Sequence, residues 1–145
     1  MNVKNVLIGG EIIDSHLTNI GLLLLRLFTG LALAFAHGMG KVPPSEGFVE
    51  GVAKLGFPMP GFFAWAAGTS ELFGGILLAA GLFTRPSAFF ILMTMLVAGF
   101  LRHGDDPFRT MEKALLFACV ALLFVLAGAG KYGVDAILRK RASSK

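Results

Sequence analysis

Seven side chains in this sequence are of types that could do chemistry together: Arg26, His37, Lys41, Glu71, His103, Asp105 and Asp106. Glu71 is the most informative, because it is the one charged residue between positions 61 and 83. As a helix that run is roughly 34 Å long, enough to cross a hydrocarbon core of about 30 Å. A carboxylate at its middle costs at least a few kcal/mol unless it faces other helices and finds a partner. The plainer alternative is a protonated Glu71 hydrogen-bonded to nearby backbone. Arg26 is the expected partner, since it interrupts the apolar run 19–36 near its middle, at a depth similar to that of Glu71. The alternative for Arg26 is that it snorkels to headgroups and never meets Glu71.

His37 follows Arg26 by three helical turns, so it returns to the same face about 16 Å farther along. Lys41 continues that face if the helix persists past Gly38 and Gly40. The segment RHGDDPFRTMEK brings Arg102, His103, Asp105, Asp106, Arg109 and Glu112 to the same end. The pattern predicts a polar lid above a bundle with a charged middle. His37, His103 and the two aspartates have no fixed ligand spacing, so no metal site is assigned, and two histidines are too little to argue for haem. The single cysteine, Cys119, lies in an apolar run and reads as a packing residue. It excludes an intramolecular disulfide and a CxxC dithiol. Phosphate-loop, nucleophile-elbow and zinc-protease motifs are absent from the sequence.

The composition says what must hold these residues. The chain has 145 residues, enough for one domain. Its charged fraction is 15% and its apolar fraction 55%, against roughly 25% and 45–50% in soluble domains. With a mean hydropathy of +0.74, this is an all-α polytopic membrane protein. Four runs, 19–36, 61–83, 87–101 and 114–129, predict an antiparallel four-transmembrane-helix bundle. The last two are short, and Arg85, Arg102, Lys113 and Lys131 flank them. Thr84-Arg85-Pro86 restarts the chain with Thr84 as N-cap, so spans two and three form a tight hairpin. Ala67, Gly68, Gly74 and Gly75 give span two a small-residue face for close helix approach.

Between spans one and two, Pro43-Pro44-Ser45 opens a segment in which Phe48, Val52 and Leu55 share one face. A short interfacial amphipathic helix is expected there. Residues 1–18 read as a polar, interfacial N-terminal segment, 19–130 as the membrane domain and 131–145 as a basic tail. The net charge of +4 lies between and after the apolar runs, which favours membrane orientation over nucleic-acid binding. With both termini on one side, that side carries Lys4, Arg85, Lys131, Arg139, Lys140, Arg141 and Lys145. The other carries Lys41, Lys54, Arg102, Arg109 and Lys113. The bias predicts cytoplasmic termini in a cell (inner) membrane. Trp65 and Tyr132 then sit near opposite interfaces.

Three stretches resemble the DoxX family of small four-span membrane proteins: LLLLRLFTGLALAFAHGMGK, ELFGGILLAAGLFTRPSA and GAGKYGVD. The resemblance covers most of residues 20–135. It implies a four-helix membrane bundle and a link to redox chemistry, since related proteins serve as a small subunit of a thiosulfate:quinone oxidoreductase and as a membrane partner of oxidant-detoxifying enzymes. It carries over no catalytic residues. On this reading the ligand is a quinone, whose headgroup needs an apolar slot, hydrogen-bond donors and a proton source. His37, Arg26 and Glu71 are then the candidate catalytic residues. Arg26, His37, Lys41, Glu71 and His103 are the candidate ligand-binding residues. Electrons would come from a soluble or membrane redox-enzyme partner. The competing readings are a non-catalytic anchor for soluble redox enzymes and a carrier of small molecules or lipids. A homo-oligomer is compatible with each.

Overall fold

The computed structural model describes residues 15–143, and all its regular structure is helical. Of the expected N-terminal segment only Ser15 to Thr18 falls among these residues. They start span one, with the Ser15 hydroxyl accepting from the Thr18 N–H at 3.3 Å. Among the described residues, four helices are long and apolar enough to cross a membrane: α1 (His16–Lys41), α3 (Pro60–Ala80), α4 (Thr84–Arg102) and α5 (Phe108–Ala127). The short helix α2 (Glu46–Lys54) lies between the first two. Ser45 caps it by accepting from the Phe48 N–H at 3.3 Å, and Gly56, at φ 83°, ends the segment. The chain closes with α6 (Val134–Ser143). This is the antiparallel four-span bundle with an intervening short helix that hydropathy predicts.

Large apolar side chains face outward along the spans, among them Phe28, Phe90, Leu116 and Leu126, each more than 60% exposed. In water such a surface would drive aggregation, whereas in a bilayer it is the lipid-facing surface. Cys119, expected to pack inside, is also exposed, on α5. The core is built by Leu22 and Leu33 of α1, Leu78 of α3, Ile91 of α4 and Ala121 and Phe124 of α5.

The register between α1 and α3 is set by glycine. A Cβ on Gly30 would lie 2.7 Å from the Ala79 nitrogen, one on Gly75 would lie 2.7 Å from the Gly30 oxygen, and one on Gly38 would lie 2.8 Å from the Glu71 carbonyl carbon. Gly30, Ala34 and Gly38, spaced by four, therefore meet Ala79, Gly75 and the Glu71–Leu72 backbone in turn, so the backbones touch. Gly68 continues the seam and packs against the Lys41 carbonyl, 2.8 Å from where its Cβ would be. Gly74, next to Gly75, turns toward α4 instead, facing Ile91.

At the other end, α3 stops at Gly81, which adopts the left-handed conformation at φ 68° while the Leu82 N–H returns to the Leu77 oxygen at 3.0 Å. The restart at α4 differs from expectation. The Thr84 hydroxyl is buried and has no hydrogen-bond partner among the described residues, so it is not the cap. The carboxylate of Asp135, 51 residues after Thr84, does that work. Its two oxygens accept from the Phe83 and Thr84 N–H groups at 2.9 Å each. Phe83 sits at φ 46°, a left-handed conformation costing about 1–2 kcal/mol for a residue with a Cβ, and these bonds offset that strain.

Candidate functional site

The structure divides the predicted polar residues between two ends of the bundle. Gly38 meets Glu71, and Arg26 lies twelve residues earlier on α1, about 18 Å along the helix axis. The expected Arg26–Glu71 pair therefore does not form. Matching span midpoints placed the two charges at one depth. The glycine seam instead slides α1 along α3 until Arg26 is level with the Gly81 turn.

Arg26 is 1% exposed at that turn. Its Nη1 donates to the Ala129 carbonyl at 3.3 Å and its Nη2 to the Tyr132 carbonyl at 3.2 Å. Asp135 supplies nearby negative charge. The guanidinium fits because Gly81 and Gly133 wall it in without side chains, a Cβ on Gly133 lying 2.6 Å from Nη1. Asn19, also buried, accepts the Lys131 N–H at 2.6 Å, and the exposed His16 ring meets the Tyr132 hydroxyl at 3.0 Å. The Asp135 N–H donates to the Gly81 oxygen at 2.8 Å. This cluster ties the chain after α5 to the start of α1 and to the α3–α4 turn. Its chemistry is that of a structural clamp: a cation satisfying carbonyls and a carboxylate capping a helix. The first residues of the basic tail are thus part of the bundle.

The second cluster is centred on Glu71. Its carboxylate is paired with Lys41, whose Nζ lies 2.7 Å from both oxygens. The Glu71 side chain is 2% exposed and that of Lys41 33%, so the pair has a buried acid and an ammonium reaching toward the loop end. The helix does persist to Lys41, as a π-helical stretch (Ala32–Gly38) followed by a tight final turn (Met39–Lys41), but the irregular spacing splits the expected face, sending Lys41 to α3 and His37 to α5. Phe48 of α2 covers the ammonium with its ring, 5.6 Å from Nζ to centroid. One residue before Glu71, the Ser70 hydroxyl accepts from the Thr94 hydroxyl at 3.1 Å. His37 turns to α5, its ring edge-on to Phe117 with centroids 5.7 Å apart.

Three spans leave α-helical geometry near this depth, over Ala32–Gly38, Ser70–Gly74 and Val97–Arg102. Such π-helical turns occur frequently at functional sites, since they displace side chains from regular spacing. His103 is not brought to the pair. It forms its own contact with Asp106 at 2.7 Å on the exposed loop between α4 and α5. Among the described residues, no group of three or more His, Cys, Asp or Glu side chains could hold a metal ion.

Of the sequence candidates, Lys41, Glu71 and His37 thus cluster at one end, His103 lies apart from them on the loop at that end, and Arg26 lies at the other. Sequence reasoning missed Phe48, Phe117, Ser70 and Thr94 around the pair and Asp135 in the clamp. Gly38 and Gly68, one turn apart from Lys41 and Glu71 respectively, were the available signal.

The family model for DoxX matches residues 21–104, which contain the whole Glu71 cluster except Phe117. A Bacillus subtilis protein provisionally named as an oxidoreductase, CatD, is 37% identical over 122 residues, covering 83% of this chain and 89% of its own length. Two Escherichia coli proteins are also similar. Inner membrane protein YphA is 32% identical over 123 residues, covering 79% of this chain and 88% of its own length. Inner membrane protein YqjF is 28% identical over 130 residues, covering 86% and 97%. No solved structure matches the chain. With four apolar spans, a family match over more than half of its length and relatives aligned almost end to end, the chain belongs to the DoxX family of membrane proteins.

Proposed function

We propose that the protein is the membrane partner of a quinone-linked redox complex and that the Lys41–Glu71 pair, with His37, receives the quinone headgroup. The observation that carries this reading is the pair itself: a carboxylate almost wholly buried in an apolar bundle, bound by a lysine still one-third open. Buried ion pairs add little net stability compared with apolar packing, so a bundle held only by packing has no need of one. The open ammonium can donate a hydrogen bond and then a proton to a quinone carbonyl, and Glu71, its counter-ion, can take up a proton and return it to the lysine. His37 is the second proton source, since an imidazole can take up a proton at one ring nitrogen and release one from the other. Reduction takes two electrons from a redox protein docked at the membrane surface and two protons through these side chains, giving the quinol. The provisional oxidoreductase name of the Bacillus relative agrees with this reading. The names of the Escherichia coli relatives and the basic-residue bias support a cell inner membrane location with cytoplasmic termini, which puts the pair on the outer side.

The test is titration of a short-tailed ubiquinone analogue into the purified protein in bilayer nanodiscs. Wild type is expected to bind, and Lys41→Met and Glu71→Gln to weaken binding by about ten- to a hundredfold, the worth of one charge-assisted hydrogen bond. His37→Ala is expected to slow proton-coupled turnover once the redox partner is added. Absence of binding to wild type would overturn the quinone site and leave the anchor reading in its place.

A further inference from the structure

The Lys41–Glu71 pair has two approaches, and they differ in what can use them. From the loop end, Phe48 lies over the ammonium. From the side, the bundle is unevenly closed. The backbones of α1 and α3, α3 and α4, and α4 and α5 approach closely along their lengths, whereas α1 and α5 approach only sparsely. Gly30, Gly38 and Gly75 permit the first of these close approaches, and Gly99, whose Cβ would lie 2.9 Å from a Leu115 methyl, permits the last. Across the looser seam stand two aromatic rings, His37 and Phe117, in edge-on contact. Gly38 is next to His37 and packs on Glu71, so the rings lie at the depth of the carboxylate. Both are only half-buried. An edge-on ring pair is worth only about 0.5–1.5 kcal/mol beyond its area, so it can part at little cost. On the α1 side the ring is carried by a π-helical stretch, where the backbone departs from regular α spacing.

We propose that the His37–Phe117 pair is a lateral portal, through which a lipid-dissolved molecule with a carbonyl-bearing headgroup reaches the Lys41–Glu71 pair directly from the bilayer. The identity of that molecule rests on the quinone reading above, but the portal does not. A ligand with a long apolar tail gains nothing by leaving the bilayer to enter through the aqueous loops, whereas a side opening lets the head enter while the tail stays in lipid. Phe117 is the gatepost that can be altered without touching Lys41 or Glu71.

The portal is tested without a quinone. In a Cys119→Ala background, Ser70→Cys places a thiol next to Glu71 at a position 8% exposed. Proteoliposomes are treated with a long-chain N-alkylmaleimide confined to the bilayer or with a sulfonated maleimide confined to water. The portal requires faster labelling by the lipid-borne reagent. Phe117→Ala should speed that labelling and Phe117→Trp should slow it, each by at least about threefold, while the aqueous reagent responds to neither. Phe117→Leu, which keeps an apolar side chain, should fall between wild type and alanine and guards against a folding artefact. Labelling mainly from water, no labelling, or lipid-phase labelling indifferent to residue 117 would overturn the portal. Failure of quinone titration with this pattern intact would overturn the choice of ligand and leave the portal standing.

Discussion

Lys41 and Glu71, thirty residues apart in sequence, are joined by two contacts of 2.7 Å where the last turn of span one crosses the middle of span two. The geometry depends on Gly68, which lets the Lys41 backbone settle against span two one turn before Glu71. Lys41→Met should therefore strand a buried carboxylate and cost about 3 kcal/mol, the lower end for a broken buried pair because Lys41 is partly open. Glu71→Gln should cost less, and the double variant less than the two single losses summed. A double-mutant cycle by thermal unfolding in bicelles measures this, and additive losses would contradict the pair.

The same cycle with Arg26→Met and Glu71→Gln should be additive within about 0.5 kcal/mol, because the two residues lie at different ends of the bundle and share no partner. A coupling above about 1 kcal/mol would mean that the glycine register between spans one and three is wrong.

Arg26→Met should loosen the chain after span four. The buried carbonyl of Ala129 loses its donor, at about 1–3 kcal/mol, and the part-buried carbonyl of Tyr132 loses its own at a smaller cost. Asp135→Ala should act similarly by uncapping span three, at about 1–2 kcal/mol. Limited proteolysis should then cut within residues 129–143 at protease levels that leave the wild type intact. Gly133→Ala, which pushes on the guanidinium, is expected to do the same.

Gly38→Ala and Gly30→Ala should each destabilise the bundle by about 1–3 kcal/mol, because the added methyl meets backbone of span two rather than a movable side chain. Gly21→Ala is the control. Nothing lies within 4 Å of its Cβ position, and alanine is the better helix former, so stability there should hold or rise slightly. Equal losses at all three positions would sink the seam.

The proposed orientation predicts that single cysteines at residues 50 and 106, in a Cys119→Ala background, react with an impermeant maleimide in intact cells. Cysteines at 85 and 140 should react only after lysis. A protected residue 106 would invert the topology and put the Glu71 cluster on the cytoplasmic side.

Much of this architecture was legible in the sequence because it is local. Hydropathy marks the four spans, Ser45 and the spacing of Phe48 and Val52 mark the short helix, and Thr84-Arg85-Pro86 marks the restart of the hairpin, since each acts within a few residues. The isolation of Glu71 in an apolar run also determined, without any coordinates, that it needs a partner. Which partner was decided only in three dimensions. Sliding one helix along another by a turn costs no local interaction, so span midpoints cannot give the register. Backbone contact at Gly30, Gly38 and Gly75 does, and it hands Glu71 to Lys41 and sends Arg26 to the clamp. Asp135 as the cap of span three was equally beyond local reading, because a carboxylate 51 residues away can reach an N-terminus only after the bundle has formed around it.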